Sequence, residues 1–260
     1  MPRKAQPERT APDSLIRERA YIHIQRKIAS GELRARSAVS ELALARELGS
    51  SRTPIREALG QLVAEGLLEQ TPNRGAVVVK LTRQDIIELF ELRESLEVFA
   101  VGKAARQASK PADLERLQQQ ANEVRELREE LLRSAKPALD ARQMHRFITC
   151  DLGFHTLLMR LADNSRILKV VNETRLLIRI FGMRRQGHVA GELDRIDKEH
   201  REILRAIIDQ EADRAMQLIA EHIQNSRRER LDEFDHWERE ASLRDTLPHV
   251  FMDEGIPAIR

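Results

Sequence analysis

The chain has 260 residues, which allows two domains or one large domain with an ample core. A composition that is 41% hydrophobic and 33% charged excludes a membrane protein and a disordered chain. Abundant Leu, Ala, Arg and Glu, with only 3% aromatic residues, favour a mainly α-helical protein. The single cysteine, Cys150, excludes an intramolecular disulfide and a cysteine zinc cluster. The lack of an apolar segment after the charged N-terminus predicts a cytoplasmic protein.

The net charge of +2 hides an uneven distribution along the chain. Residues 1 to 80 contain 14 Lys and Arg against 9 Asp and Glu, whereas residues 81 to 260 contain 30 against 33. A basic front segment joined to a slightly acidic remainder is typical of an anion-binding module, usually one for nucleic acid, attached to a module with another task. An excess of this size also arises by chance.

The front of the chain is predicted to hold three helices and a hairpin. Residues 1 to 14 form a proline-containing flexible arm, a helix follows from Leu15 to Ala29, and Ser40 caps a second helix. A third helix is predicted from Thr53, as N-cap, to about Glu65, because Pro at the first helical position loses no hydrogen bond. The segments LLEQ and AVVVKL, separated by TPNRG, then predict a hairpin, so residues 15 to 81 have the order of a winged helix-turn-helix.

Six helices with short links are predicted beyond Leu81, which indicates an antiparallel bundle over residues 82 to 235. Thr82 is the expected cap of the first helix and Pro111 lies near the start of the second; the others are expected over roughly 140–162, 165–186, 193–209 and 211–235. Residues 236 to 260 have weak periodicity and are treated as an unassigned C-terminal tail. The predicted fold class is mainly α, with an N-terminal winged helix-turn-helix followed by an all-α antiparallel helical bundle.

The segment SSRTPIREALGQLVAEGLL resembles the recognition region of the GntR family of bacterial transcription regulators, most specifically in the string SRTPIREAL at 51 to 59. At the start of a recognition helix, Arg52 and Arg56 lie four residues apart and can pair with guanine in the major groove. Ser51 and Thr53 suit a phosphate, and Arg74 and Gly75 at the hairpin tip are expected to reach the minor groove or its backbone. In the alternative interpretation, the two arginines belong to a solvated helix face and Thr53 is only a cap.

The sequence departs from the GntR pattern at two places before the third helix. Ala35 and Arg36 stand where the family usually has Pro-Gly, and Leu42 occupies a position that is Arg in some members. The first change is expected to loosen the turn. The second removes one expected contact with DNA.

Four residues of the helical part form a candidate metal site. Asp151 and His155 lie four residues apart on one helix face, and His200 and His222 lie on the last two predicted helices, which are expected to be antiparallel neighbours. One carboxylate and three imidazoles suit Zn²⁺, Ni²⁺, Mn²⁺ or Fe²⁺. The same four residues could instead close the bundle interior through hydrogen bonds.

Residues 83 to 235 resemble the FCD ligand-binding domain of the FadR branch of the GntR family, through ELRESLE at 91 to 97, DLGFH at 151 to 155 and EHREILRAI at 199 to 207. The resemblance implies that Asp151, His155, His200 and His222 are metal ligands. Arg93, on the first bundle helix, is the predicted contact for a carboxylate effector, because its planar fork matches a carboxylate. Arg175 and Arg179 are alternatives, although a surface position is favoured for both.

Together these features predict a homodimeric regulator, usually a repressor in this branch, that binds a palindromic operator in double-stranded DNA. A small carboxylate bound beside the divalent metal is expected to lower operator affinity. Two alternatives remain at this point. A metalloenzyme could use the Asp and His cluster on an organic acid, although no nucleophile and base motif accompanies it, and a metal sensor would respond to the ion itself.

Overall fold

The computed structural model describes residues 13–71, 75–107, 110–181 and 187–246. Its helices and strands are, in chain order, α1 (Asp13–Ala29), β1 (Ala38–Val39), α2 (Glu41–Glu47), α3 (Arg52–Ala64), β2 (Leu68–Thr71), β3 (Gly75–Val78), α4 (Arg83–Ala105), α5 (Pro111–Ser134), α6 (Ala141–Leu161), α7 (Ser165–Phe181), α8 (Ala190–Ile208) and α9 (Ala212–Thr246). The chain divides into two compact units, of which the first contains the described residues up to Leu81 together with residues 175 to 181. The second contains the remaining described residues. The predicted fold class is confirmed.

The first unit is a winged helix-turn-helix. Ser40 caps α2, because its side chain accepts a hydrogen bond from the backbone N–H of Ala43, as the sequence predicts. The predicted hairpin forms between β2 and β3, with Leu68 opposite Val78, and β1 adds a short third strand to give the order β1-β3-β2. The core of this unit consists of apolar side chains from all three helices and the sheet, including Ile24, Leu44, Ile55, Leu62 and Val78.

The end of α7 contributes to the same core. Ile180 is buried in it, and Leu176, Leu177 and Phe181 pack against it. Sequence periodicity placed this stretch in the bundle domain, whereas in the structure its apolar side chains complete the first unit. Arg175, expected at the surface, is instead buried in this unit, and Arg179 is partly buried. The predicted extension of this helix over residues 182 to 186 lies outside the described residues.

The turn before β1 carries backbone strain at Arg36, which has a φ of 65°. Its backbone N–H donates to the carbonyl oxygen of Val78 at 2.7 Å, so pairing with β3 holds this residue in a conformation that glycine tolerates better. The departure from Pro-Gly at residues 35 and 36 therefore leaves the turn formed but strained, rather than loosened as the sequence predicts.

Arg36→Gly is expected to raise the free energy of unfolding by about 1 kcal/mol, because it removes the left-handed penalty of a side-chain-bearing residue. The midpoint of thermal unfolding should rise by about 2 to 4 °C. The matched control is Arg34→Gly, which removes the same exposed charge at a residue without positive φ. An equal gain in the control would assign the effect to charge and not to strain.

The second unit contains α4 to α6, most of α7, and α8 and α9. Thr82 and Asp85 form a reciprocal capping box that starts α4, and Asp140 and Gln143 form another at the start of α6. Pro111 is the first residue of α5, as the sequence predicts. Buried side chains of α5, α6 and α8 form a shared core that contains Cys150, consistent with a packing role for this thiol.

Residues 236 to 246, which the sequence left unassigned, belong to α9, because this helix continues through them to Thr246. This part of α9 is rich in Glu and Arg and lacks the apolar stripe on which periodicity depends. Good helix formers sustain a helix without such a stripe. Residues 247 to 260 lie outside the described residues.

None of the helices in the described part of the chain combines the length and apolarity needed to cross a lipid bilayer.

Candidate nucleic-acid interface and metal centre

The N-terminal end of α3 exposes the four residues predicted to contact DNA there. Ser51, Thr53, Arg52 and Arg56 are all exposed, and the side chains of the two arginines are 59% and 66% accessible. Arg52 and Arg56 lie one helical turn apart, so both project from the same side of α3. This arrangement suits insertion of the start of α3 into the major groove.

The predicted N-cap of α3 is wrong by two residues. The helix begins at Arg52, Ser51 is the N-cap residue in an extended conformation, and no side-chain cap hydrogen bond is present there. Pro54 is tolerated as the third helical residue, because backbone N–H groups of the first turn have no partner within the helix. Thr53 is therefore a helical residue with an exposed hydroxyl group, and not the cap.

Both arginines are held by one carboxylate, which the sequence reasoning missed. Glu41 on α2 accepts hydrogen bonds from Arg52 Nη2 at 3.1 Å and from Arg56 Nε and Nη2 at 3.2 and 3.0 Å. The hydrogen bonds from Arg56, and then those from Arg52, hold the pKa of Glu41 below its usual range. Glu41 thus orients the arginines while the protein is free, and it competes with DNA for the same N–H donors.

Glu41→Gln is expected to tighten binding to random-sequence DNA a few-fold, because an exposed ion pair of this kind is worth about 0.2–1 kcal/mol. Preference for the operator over random DNA should fall, because the arginines lose their common anchor. Fluorescence anisotropy at fixed ionic strength measures both affinities. Glu57→Gln is the control, since Glu57 lies on α3 next to Arg56 but pairs with Arg17. Equal changes in the two variants would contradict a specific role for Glu41.

The wing is only partly described. Gly75 begins β3 with a φ of 74° and is exposed, a conformation that favours glycine at the end of the turn. Arg74, the predicted minor-groove contact, lies outside the described residues. Both remain predicted DNA contacts.

The second unit brings together the four predicted metal ligands. Asp151 and His155 lie on α6, His200 on α8 and His222 on α9, and one ligand atom from each lies within 4.8 Å of all the others. The three imidazoles are buried, while Asp151 is partly exposed. Asp151 Oδ1 lies 3.8 Å from His155 Nε2 and 3.7 Å from His200 Nε2, so the carboxylate faces both rings.

Two glutamates, absent from the sequence-based site, orient two of these imidazoles. Glu97 on α4 is 2.6 Å from His155 Nδ1, and Glu199 on α8 is 2.7 Å from His222 Nδ1. Burial alone would raise the pKa of Glu199, but His222 and Arg195 hold it below its usual range through hydrogen bonds and charge. Sequence reasoning missed both glutamates because 58 and 23 residues separate the paired positions.

The resulting arrangement suits a cation. Where an ionised glutamate accepts a hydrogen bond from Nδ1, a neutral imidazole keeps its proton there and its Nε2 presents a lone pair. His155 Nε2 and His222 Nε2 lie 3.1 Å apart in a buried space, so two such lone pairs would face each other. A positive ion between such groups removes their repulsion, and outer carboxylates are the usual supports of metal-binding histidines. The donor set therefore fits a divalent metal.

Further contacts fix His200 and connect Arg93 to the cluster. Phe154 stacks on His200 with ring centroids 4.0 Å apart. Arg93 is buried, and its Nε donates to Glu97 Oε1 at 2.8 Å. Because the same glutamate contacts His155, Arg93 is linked to the metal cluster through one shared carboxylate. Its role toward an effector remains a prediction.

A winged helix-turn-helix that exposes arginines, followed by an all-helical domain, is the architecture of a DNA-binding regulator. Residues 16–78 match the model of the bacterial regulatory proteins of the gntR family, and residues 88–225 match the FCD domain. The chain belongs to the GntR family and carries an FCD domain. It is a DNA-binding transcription regulator and not an enzyme, which settles the metalloenzyme alternative.

Related proteins are consistent with this assignment. The chain is 29% identical over 215 residues to a probable D-xylose utilization operon transcriptional repressor of Paenarthrobacter nicotinovorans, covering 83% of this chain and 87% of that protein. It is 30% identical over 192 residues to the Nta operon transcriptional regulator of Aminobacter aminovorans, covering 72% and 80%. The structure of McbR/YncC of E. coli has the same fold, with a TM-score of 0.65, 19% identity and coverage of 84% and 98%.

Proposed function

We propose that this protein is a homodimeric repressor whose affinity for a palindromic operator falls when a small carboxylate binds beside a divalent metal in the FCD domain. The observation that carries the proposal is the convergence of four metal-ligating side chains in a domain attached to a DNA-binding unit. Repressor names among the relatives support the sign of the effect. Two DNA-binding units related by a dyad match two half-sites of a palindrome.

The DNA-binding half of the proposal depends on the first turn of α3. Arg52 and Arg56 supply bidentate donors for base edges, while Ser51, Thr53 and the free N–H groups of the helix start supply phosphate contacts. Arg74 and Gly75 extend the contact through the wing. Operator affinity should fall steeply with salt, because each neutralised phosphate releases counterions.

The metal-binding half depends on Asp151, His155, His200 and His222, which would hold the ion. Zn²⁺, Ni²⁺, Mn²⁺ and Fe²⁺ all accept this mixture of oxygen and nitrogen donors. When bound, the ion supplies a fixed positive charge that attracts a carboxylate. Glu97 and Glu199 keep the histidine rings in place and keep each Nδ1 protonated.

Arg93 is the proposed second anchor of the effector. Its Nε is engaged by Glu97, and the two terminal nitrogens of a guanidinium carry four further N–H donors in a plane. A carboxylate approaching this buried cation forms stronger hydrogen bonds than it would in water. A small organic acid would therefore contact the ion at one end and Arg93 at the other. A coupling of about 1–3 kcal/mol between this site and DNA is enough for a 5- to 150-fold change in operator affinity.

The test measures operator affinity as metal and acid are varied separately. An operator is first selected from a random duplex library, and binding is then followed with metal-free protein, with Zn²⁺, Ni²⁺ or Mn²⁺ alone, and with each ion plus a panel of mono- and dicarboxylates. The proposal expects at least a 5-fold loss of affinity only when ion and acid are both present. A full response to the ion alone would make the protein a metal sensor, and no response to any combination would contradict the proposal.

A further inference from the structure

A series of polar side chains connects α8 and α9 beside the candidate metal centre. Nη1 of Arg195 on α8 donates to both carboxylate oxygens of Glu199, at 2.8 and 2.7 Å, and Glu199 lies one turn further along the same helix. Glu199 Oε2 is in turn 2.7 Å from Nδ1 of His222 on α9. A single carboxylate therefore separates the guanidinium of Arg195 from a proposed metal ligand.

Two further side chains of α9 complete this connection. Nη2 of Arg195 donates to Glu229. Nδ2 of Asn225 donates to Glu199 Oε1 at 2.6 Å. His222, Asn225 and Glu229 follow one another at spacings of three and four residues, so they lie on one side of α9. Each carboxylate oxygen of Glu199 thus contacts Arg195 and one residue of α9, which fixes the carboxylate in one orientation.

These side chains are largely shielded from water. The side chain of Arg195 is 29% accessible and that of Glu199 is 15% accessible, while His222 is buried. Charge-assisted hydrogen bonds are stronger than neutral ones, and more so where little water competes for the donors. Arg195 therefore holds the carboxylate of Glu199 more firmly than an exposed pair of the same spacing would.

The second oriented imidazole of the cluster has a support of the same kind. Arg93 precedes Glu97 by four residues on α4, and its Nε donates to Glu97 Oε1 at 2.8 Å. Glu97 Oε2 is 2.6 Å from Nδ1 of His155. Arg195 and Glu199 repeat this spacing and this contact on α8. The repetition on two helices indicates that the arginines support the imidazoles, and not only the helices on which they lie.

We propose that Arg195 is a positioning residue of the metal centre, which holds Glu199 so that Nε2 of His222 faces the other ligands. A neutral imidazole carries its proton on either nitrogen, and only the nitrogen without a proton can bind a metal. With Arg195 in place, the contact of Glu199 with Nδ1 selects the form that presents Nε2. Without Arg195 the carboxylate can turn away, and His222 exchanges between the two forms. The inference rests on the proposed function, because it assigns a role at the proposed metal site.

Arg201 on α8 provides a matched comparison for Arg195. Its Nε and Nη2 donate to the two carboxylate oxygens of Asp197, four residues earlier, at 3.1 and 2.7 Å. Asp197 is buried, so loss of Arg201 also leaves a shielded carboxylate without its arginine. Within the described part of the chain, Asp197 makes no hydrogen bond to an imidazole of the cluster. A substitution of Arg201 therefore reproduces the structural cost without disturbing the support of a proposed ligand.

Metal affinity of the full-length protein tests the role of Arg195. Arg195→Gln should weaken Zn²⁺ binding about 10- to 100-fold, the usual effect of losing an outer support of a metal ligand. Arg201→Gln should bind Zn²⁺ as the wild type does. Competition with a chromophoric chelator measures the affinities, and circular dichroism checks the helix content. Wild-type affinity in Arg195→Gln, or an equal loss in Arg201→Gln, would overturn the proposal. Arg195→Lys, which keeps the charge but loses the planar fork, replaces Arg195→Gln if that variant does not fold, and the same outcomes then decide.

A second measurement needs no metal. In protein labelled with ¹⁵N-histidine, the nitrogen signals distinguish an imidazole nitrogen that carries a proton from one that presents a lone pair, and His222→Gln identifies the signals of this residue. At mildly alkaline pH, metal-free wild type and Arg201→Gln should show a proton on Nδ1 of His222, and Arg195→Gln should show a mixture of the two forms. An unchanged signal in Arg195→Gln would overturn the proposal. If the wild type binds no metal, the proposed function fails, while these signals still decide the role of Arg195.

Discussion

Arg52→Ala is expected to weaken binding to the selected operator by about 1–3 kcal/mol for each half-site, which is the usual value of one bidentate contact to a base. Both half-sites lose the contact in a dimer, so the total loss in affinity exceeds tenfold even at the lower value. Binding to random-sequence DNA should change far less, because it depends on total positive charge. Competition anisotropy with operator and random duplexes of equal length measures the two affinities.

Two further variants separate base reading from charge. Arg52→Lys keeps the charge but loses the planar fork, so it should retain binding to random DNA and lose much of the operator preference. Arg17→Ala removes another exposed arginine, on α1, and should lower both affinities only slightly. An unchanged operator preference in Arg52→Ala, or a matching loss in Arg17→Ala, would remove Arg52 from the set of base contacts.

The DNA-binding unit shows which features of a site can be predicted from sequence. Turn residues, apolar periodicity and the SRTPIREAL string were enough to predict three helices and a hairpin, because these signals act over a few residues. The start of α3 was misplaced, because Thr-Pro fits either a capped start or an interior first turn. The bridge from Glu41 to Arg52 and Arg56 was missed, because it depends on how α2 and α3 pack and not on local spacing.

The metal cluster likewise contains residues that can be predicted from the sequence and residues that cannot. Asp151 and His155 could be paired from spacing on one helix, His200 and His222 could be added from their places on two predicted antiparallel helices, and family resemblance supported the whole set. The supporting glutamates could not be found by spacing, although Glu97 follows Arg93 by one turn and Glu199 directly precedes His200. Their importance becomes visible only when the rings are in place, because a carboxylate on Nδ1 decides which nitrogen faces the centre.

His200→Ala is expected to lower metal affinity by more than about 100-fold, because removal of a mere supporting residue already costs 10- to 100-fold. His200 is buried against Phe154 and faces Asp151, so its loss removes one of the four clustered ligand atoms. Elemental analysis after dialysis against Zn²⁺ or Ni²⁺ measures the loss. A ligand present at 100 times its dissociation constant stabilises the folded protein by about 2.7 kcal/mol, so the wild-type unfolding temperature should rise with metal while that of the variant stays unchanged.

His145→Ala is the matched control, because His145 is an exposed histidine on the same helix as two of the proposed ligands. It should keep the metal content and the thermal shift of the wild type. Asp151→Asn is a second ligand variant, needed in case His200→Ala misfolds because it leaves a cavity. It keeps the size of a partly exposed side chain and removes only the charge. Both ligand variants should still bind the operator and no longer respond to metal with acid, since the DNA-contacting residues are untouched. Wild-type metal stoichiometry in both His200→Ala and Asp151→Asn would contradict the metal site. The four residues would then only close the interior of the bundle through hydrogen bonds, which is the alternative interpretation of their buried contacts.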